Sequence, residues 1–172
     1  LATSDLEDDQ VLKQYTYASS VIFHTGDPDD VISRYLGIID KLGIDVIIRV
    51  TGDMPYVSDT IIQYLLESHF QNGADYTVAK KSAVGTSAEI FNASSLRKIK
   101  KYFPNANYSE YMTWYFQNNP DYFKLNFVAL PDNLIRDYRL TLDYQEDLDL
   151  FNAIQKHLDD NNKLQDVEII FD

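Results

Sequence analysis

The stretch Asp45-Val-Ile-Ile-Arg-Val-Thr-Gly-Asp-Met-Pro55 decides the fold of this chain. Its first half is a nearly continuous run of apolar, mostly β-branched residues, which is typical of a strand buried on both faces of a parallel sheet. Thr51-Gly52-Asp53 ends that strand, and Pro55 fixes the turn that leads away from it. Ligands of open α/β sheets bind beyond the carboxyl ends of the strands. We therefore expect the side chain of Asp53 to point into a ligand crevice.

Helix signals lie on both sides of this strand. Asp27-Pro28 is a helix start, apolar residues keep helical spacing over 31–42, and Gly43 is a stop. Ser58 caps a second predicted helix over 59–71. The alternation predicts an α/β fold with a mainly parallel sheet. Further strands are predicted over 20–24, 76–79, 88–91, 123–129 and 139–142, further helices over 4–17, 94–102, 109–117 and 145–158, and a strand or tail over 167–171.

Composition narrows the class of protein. The 172 residues carry a net charge of −12 and no cysteine, and we expect one domain over 1–172. No apolar run is long enough to cross a bilayer and no signal peptide is visible, so we expect a cytoplasmic protein without a membrane partner. The basic cluster at 97–101 lies on a predicted helix and is interpreted as a solvated face. Without a basic patch, nucleic-acid binding is not expected.

A second carboxylate ends another apolar strand, at Leu142-Asp143. Carboxylates at the ends of two different strands can share a divalent cation such as Mg²⁺, with nucleotide phosphates as further ligands. Gly52 permits close approach of the backbone beside the first carboxylate. An Asp at a strand end is also an ordinary turn or cap residue, and Asp143 could simply cap the helix that begins near Gln145.

Six blocks of the chain, in order, resemble the spore coat polysaccharide biosynthesis protein F family. This family contains cytidylyltransferase-like proteins related to the CMP-KDO and CMP-sialic acid synthetases. The match is centred on Arg49-Val-Thr-Gly-Asp-Met-Pro-Tyr-Val-Ser58 and on Arg139-Leu-Thr-Leu-Asp-Tyr-Gln-Glu-Asp-Leu148. The other blocks lie at 2–9, 26–35, 85–91 and 109–113.

The resemblance implies a three-layer, Rossmann-like nucleotide-diphospho-sugar transferase fold with a mixed, mainly parallel sheet. It implies transfer of CMP from CTP to a sugar acid or sugar phosphate for surface polysaccharide synthesis, with Mg²⁺ as cofactor. Asp53 and Asp143 would be the metal ligands, and Arg139 would orient Asp143 or contact substrate. Substrate-binding residues would be Arg34, Thr51, Gly52, Glu89 and Glu110.

Each of these residues also has a structural alternative. Arg34 could be a surface charge on an amphipathic helix, and Arg139 could pair with Asp137 or Glu146. Glu89 and Glu110 could each belong either to the substrate pocket or to a structural ion pair.

The chain also departs from the family pattern. It begins at what resembles the family's second strand, so the first strand and the Gly-rich, basic nucleotide-binding loop are not in this sequence. We expect either an upstream segment or another strand to fill that position, because an open edge inside a sheet is unfavourable. Ser87, Tyr111 and Tyr144 stand where the family pattern has Asp, His and Pro, respectively. These changes fall on the sugar side of the implied pocket, so they affect the expected acceptor more than the expected metal site.

Two rival functions are also considered, and the departures favour only the second of them. A glycosyltransferase of related fold usually holds its metal with an Asp-x-Asp triplet, whereas Thr51-Gly52-Asp53 supplies one carboxylate. A non-catalytic homologue that binds a nucleotide or sugar is the other. Thirteen tyrosines, several of them within 102–122, could furnish a homodimer interface, although aromatic residues at helical spacing are more often core.

Overall fold

The computed structural model describes residues 1–17, 20–104, 106, 109, 111–164 and 166–171. The fold is α/β with mixed, mainly parallel sheets, which confirms the predicted class. The chain forms two compact units, one of Leu1–Ile47 with Phe91–Leu125 and one of Ile48–Ile90 with Asn126–Asp172. The single domain expected over 1–172 stays a prediction. Within the described ranges, no helix has both the length and the apolar character needed to cross a membrane.

The first unit opens with a two-stranded parallel sheet. Strand β1 (Ala2–Ser4) pairs with β2 (His24–Gly26), and Thr3 lies opposite Thr25. Helix α1 (Val31–Leu42) begins after Asp30 and not at the predicted Asp27-Pro28. Asp27 accepts from the amides of Asp29 and Asp30 and so closes a turn before the helix, whereas Asp30 accepts from the amide of Ser33. Gly43 ends this helix with φ of 66°, a left-handed conformation that favours glycine. The unit also contains α3 (Ala93–Tyr102) and α4 (Thr113–Gln117).

Apolar side chains of α1, α3 and α4 form the core of this unit. Ile32, Ile39, Leu96, Ile99 and Phe116 are each no more than 2% exposed. Burying one such side chain contributes about 1.5–3 kcal/mol relative to leaving it in water, so this cluster holds the three helices together.

A four-stranded sheet has the order β3-β5-β4-β6. Its strands are β3 (Val46–Arg49), β5 (Glu89–Asn92), β4 (Tyr76–Ala79) and β6 (Leu125–Val128). Because β3 and β4 are not neighbours, the chain crosses over between them, as repeated strand–helix units do.

The second unit adds the helices α2 (Asp59–Asn72), α5 (Gln145–Asp160) and α6 (Val167–Phe171). Ser58 caps α2 by accepting a hydrogen bond from the amide of Ile61. The side chains of Ile61, Leu65, Tyr76, Ile90 and Leu134 are at most 1% exposed. Helix α2 packs against β4, so these buried side chains contribute to the core beside that strand.

The structure corrects two predictions near the ends of the chain. The predicted helix at 4–17 is a 3-10 helix, Glu7–Tyr15. It begins later than predicted because the Ser4 hydroxyl accepts from the amide of Leu6 and closes a turn before the helix, while it also binds the carboxylate of Asp9. At the other end, 167–171 is helix α6 rather than a strand. Val167 and Phe171 are both buried and are four residues apart, which is the spacing of one helical face.

Other elements also differ from the predictions. Strand β2 begins at His24 instead of running over 20–24, and α4 begins at Thr113 instead of residue 109. The Ser109 hydroxyl accepts from the amide of Ile32, so Ser109 caps the start of α1. The segment 139–142 is not a regular strand, and its ladder bond is a single parallel bridge between Val84 and Arg139.

Candidate functional site

Asp53 lies in the turn that follows β3, as the sequence predicts. The amide of Met54 donates to the carbonyl of Thr51 at 3.2 Å, which closes the turn. The Thr51 hydroxyl donates to Oδ1 of Asp53 and so orients the half-buried carboxylate. The second oxygen, Oδ2, has no hydrogen-bond partner among the described residues. The carboxylate is therefore fixed on one side and available on the other.

Gly52 leaves open space beside this carboxylate. A Cβ atom built on Gly52 would meet no other atom within 4 Å, and the residue is exposed. The backbone conformation does not itself require glycine there. The turn is thus accessible to a ligand from the side of Gly52.

Backbone pairing brings the second carboxylate segment to Asp53. The amide of Leu142 donates to the carbonyl of Asp53 at 2.8 Å. Asp143 follows directly, and one of its oxygens, Oδ2, accepts from the Thr141 hydroxyl at 3.0 Å. Two chain segments that are 90 residues apart in sequence therefore meet at the end of β3.

Arg139, Asp143 and Asp147 form one charged network. One guanidinium nitrogen of Arg139 donates to Asp143 and the other to Oδ1 of Asp147, the latter at 2.5 Å. Oδ2 of Asp147 accepts from the amides of Asp143 and Tyr144, each at 2.9 Å. The hydrogen bond from Arg139, followed by that from the Asp143 amide, lowers the pKa of Asp147 to about 2. The same contact raises the pKa of Arg139.

This network decides between alternatives that the sequence leaves open. The cap at the start of α5 is made by Asp147, which reaches back to two amides, and not by the side chain of Asp143. Arg139 pairs with neither Asp137 nor Glu146 but holds Asp143 in place. Asp143 is thus oriented from its Oδ2 side, and Oδ1 has no partner in the described part of the chain.

Gly85 allows the segment 138–142 to pack closely against its backbone. Its φ is +89°, and a Cβ atom there would lie 2.2 Å from the carbonyl oxygen of Leu140. The amide of Leu140 donates to the Val84 carbonyl at 2.7 Å, and the Val84 amide donates to the Tyr138 carbonyl at 2.9 Å. Only glycine allows this approach of two backbones, so Gly85 supports the placement of Arg139 and Asp143.

Asp53 and Asp143 supply carboxylate oxygens, the type of ligand that a hard divalent cation takes. In the described part of the chain, no three His, Cys, Asp or Glu side chains are grouped to hold a metal ion. Asp53 and Asp143 each retain one carboxylate oxygen without a partner there. Mg²⁺ prefers oxygen ligands and is commonly held by one or two carboxylates plus phosphates and water. The donor set is therefore compatible with Mg²⁺.

Glu89 lies in the same unit but is engaged with neighbouring side chains. Its Oε2 pairs with Arg49 at 2.6 Å and its Oε1 accepts from the hydroxyl of Tyr76 at 2.6 Å. Arg49 and Glu89 are only 19% and 16% exposed, so this is a shielded ion pair. Binding of substrate by Glu89 stays a prediction.

Arg34 belongs to the first unit, where it binds backbone carbonyls. Its Nη2 donates to the carbonyls of Asp27 at 2.7 Å and Pro28 at 3.0 Å. Its side chain lies against Gly26, where a Cβ atom would be 3.1 Å from Cγ of Arg34. These contacts stabilise the loop before α1, and a nucleotide contact stays a prediction. Glu110 lies outside the described residues.

Three residues of this site were not predicted as functional. Asp147 and Thr141 orient Asp143 directly or through Arg139, and Gly85 holds the backbone beneath them. The spacing of four residues from Arg139 to Asp143 and again to Asp147 is a signal that could have indicated the network. No sequence pattern indicates the role of Gly85, because it depends on contact with a segment some 55 residues later.

Comparisons with known proteins bear on the family and the fold of this chain. A family model described as cytidylyltransferase matches residues 1–167. The spore coat polysaccharide biosynthesis protein SpsF of Bacillus subtilis (strain 168) is 29% identical over 172 residues, covering 99% of this chain and 72% of SpsF. An uncharacterised protein of Methanocaldococcus jannaschii is 31% identical over 160 residues, covering 92% of this chain and 66% of that protein.

A solved structure supports the fold. The cytidylyltransferase from Leptospira borgpetersenii serovar Hardjo-bovis (strain JB197) superposes with a TM-score of 0.75 at 24% identity. The superposition covers 91% of this chain and 75% of the other. At that identity the similarity establishes the shared fold alone.

Proposed function

The chain belongs to the cytidylyltransferase family, and we propose that it transfers CMP from CTP to a sugar acid or sugar phosphate. In this reaction an oxygen of the acceptor forms a bond to the α-phosphorus of CTP, and the bond to the departing pyrophosphate breaks. Such transfers depend mainly on positioning and on neutralising charge.

The observation that carries the proposal is the hydrogen bond from the Leu142 amide to the Asp53 carbonyl. It supports a site at the end of β3 where Asp53 and Asp143 come from adjacent backbone segments. Each keeps an oxygen without a partner among the described residues. Mg²⁺ on these oxygens would supply charge neutralisation at the phosphates of CTP.

The surrounding residues have positioning roles in this proposal. The Thr51 hydroxyl and the guanidinium of Arg139 hold the carboxylates of Asp53 and Asp143 in fixed orientations before substrate arrives. Such preorganisation lowers the cost of ordering the site during the reaction. Asp147 fixes Arg139 in turn, and Gly52 leaves space for close approach of the substrate.

A role in surface polysaccharide synthesis is part of the same proposal. It rests on the name of the Bacillus subtilis relative and on the sequence blocks shared with that family. CTP and a sugar acid or sugar phosphate are the partners it requires, and a homodimer stays a prediction.

Pyrophosphate release from CTP, measured on the intact protein with Mg²⁺ and a panel of sugar acids and sugar phosphates, tests the proposal. We expect release with at least one acceptor, and loss of about 100-fold or more in Asp53→Asn, because a charged ligand at the phosphates is removed. Asp45→Asn is the matched control, since Asp45 is an exposed carboxylate at the opposite end of β3. It should retain wild-type release.

Two results would contradict the proposal in different ways. Equal release by the wild type and Asp53→Asn would exclude the carboxylate site. Binding of CTP without release for any acceptor would favour the non-catalytic homologue instead.

A further inference from the structure

We propose that a basic cleft in the second unit binds the phosphate or carboxylate group of the sugar acceptor. The cleft has a volume of about 670 Å³. Its charged lining residues are Lys80, Lys81, Arg136 and Asp137, so three cations face one carboxylate. This is an unusual local charge in a chain of net charge −12. The assignment to the acceptor rests on the function proposed above, whereas the oxyanion site itself rests on the cleft.

Backbone hydrogen bonds fix one wall of this cleft. The Lys80 amide donates to the Val128 carbonyl at 2.8 Å, directly after β4. Four residues later, the Val84 amide donates to the Tyr138 carbonyl at 2.9 Å. Lys81 and Ser82 lie between these two hydrogen-bonded residues, and the ammonium groups of Lys80 and Lys81 have no partner among the described residues. They are therefore available for a ligand.

The opposite wall presents a guanidinium that is already oriented. Nη1 of Arg136 donates to the carbonyls of Asp132, Asn133 and Ile135, the last at 2.9 Å. The group also lies over the ring of Phe171, 5.3 Å from its centroid. Nε and Nη2 have no partner in the described ranges, and a fixed guanidinium with two nitrogens left to donate suits an oxyanion.

The position of the cleft suits the acceptor. It lies at the end of β4, and ligands of such sheets bind at the carboxyl ends of strands. Arg136 precedes Arg139 by three residues, so the backbone separates them by no more than about 11 Å. An anion held there would bring the attached sugar towards the segment that carries Asp143.

An NMR titration of the intact protein tests this inference without requiring turnover. The probes are glucose 1-phosphate, glucuronate and neutral glucose. We expect amide shifts at Lys80–Ser82 and Arg136–Asp137 with the first or second probe, and none with glucose. Shifts with glucose 1-phosphate alone identify a phosphate ligand, and shifts with glucuronate alone identify a carboxylate ligand.

Variants complete the test. Arg136→Gln should weaken binding of the anion about ten-fold, as expected for the loss of a charge-assisted hydrogen bond. Lys80→Gln with Lys81→Gln, on the exposed wall, tests the same site without disturbing the turn that Arg136 stabilises. Lys41→Gln removes one exposed charge from α1 and should bind as the wild type does.

Shifts confined to other residues, equal shifts with glucose, or unchanged affinity in the double lysine variant would overturn the inference. Pyrophosphate release separates this failure from that of the proposed function. If pyrophosphate release is insensitive to the cleft variants, the cleft does not bind the acceptor, and the proposed transfer still stands. Anion binding without release from any acceptor leaves the oxyanion site standing and refutes the transfer.

Discussion

Replacement of Gly85 by alanine should destabilise the second unit, and two separable effects contribute. The first is backbone strain, because φ of +89° is rarely adopted by residues with a side chain and costs about 1–2 kcal/mol. The second is a clash, because the new Cβ would lie 2.2 Å from the carbonyl oxygen of Leu140. That oxygen belongs to the backbone, so relief requires the segment 138–142 to move.

Movement of that segment would lengthen or break two hydrogen bonds, Leu140 to Val84 and Val84 to Tyr138. Each contributes about 1 kcal/mol, so the total expected loss is about 3–4 kcal/mol. With a urea m-value of about 2 kcal/mol/M, the unfolding midpoint should fall by roughly 1.5–2 M.

The assay is equilibrium unfolding in urea followed by circular dichroism. Gly73→Ala is the matched control, because Gly73 has φ of +55° but a Cβ there would meet nothing within 4 Å. It should lose only the strain, about 1 kcal/mol. Equal losses for Gly85→Ala and Gly73→Ala would refute the conclusion that close packing against Leu140 holds the segment.

Two other predictions concern the ion pairs. Because the pKa of Asp147 is lowered to about 2 in the folded protein, its contacts contribute stability above about pH 4 that is lost as the pH falls towards 2. In Arg139→Gln, carboxyl NMR should find the pKa of Asp147 shifted back towards 3.8, and a value that stays near 2 would contradict the assigned cause. Glu89→Gln should lower the free energy of unfolding by about 2 kcal/mol, because it leaves the shielded Arg49 without its counter-charge. Arg97→Gln breaks an exposed ion pair and should lower the free energy of unfolding by less than about 0.5 kcal/mol. If urea unfolding gave similar losses for Glu89→Gln and Arg97→Gln, shielding of the Arg49–Glu89 pair would not explain the effect.

Local chemistry explains which elements were predictable. Helix α2 carries its predicted cap, Ser58, and both helices end at a glycine, Gly43 or Gly73. The start of α1 lies three residues after the predicted one, because Asp30 is the cap and not Asp27. Strand β4 is predicted to the residue because its boundaries are set by neighbouring turn residues. These signals act over a few residues and are therefore visible in the sequence.

Long-range contacts explain the predictions that were wrong. The segment 139–142 has the alternation of a strand, yet its amide at Leu142 binds the turn at Asp53 instead of a neighbouring strand. Ser109 has the form of a helix cap, and it caps α1, which lies far earlier in the chain. The same limit applies to the site. Asp53 is marked by the strand end, whereas the pairing of Glu89 with Arg49 and Tyr76 depends on three separate strands.

The central claim is that Asp53 and Asp143 support transfer of the α-phosphate of CTP to a sugar. The most direct measurement follows radioactive phosphorus in two parallel reactions, one with CTP labelled at the α-phosphate and one with CTP labelled at the γ-phosphate. We predict that the α-label enters the sugar product and the γ-label leaves as pyrophosphate. Asp53→Asn and Asp143→Asn should both lose transfer, and Asp45→Asn should retain it. Transfer of the γ-label to the sugar, or undiminished transfer by both site variants, would contradict the account.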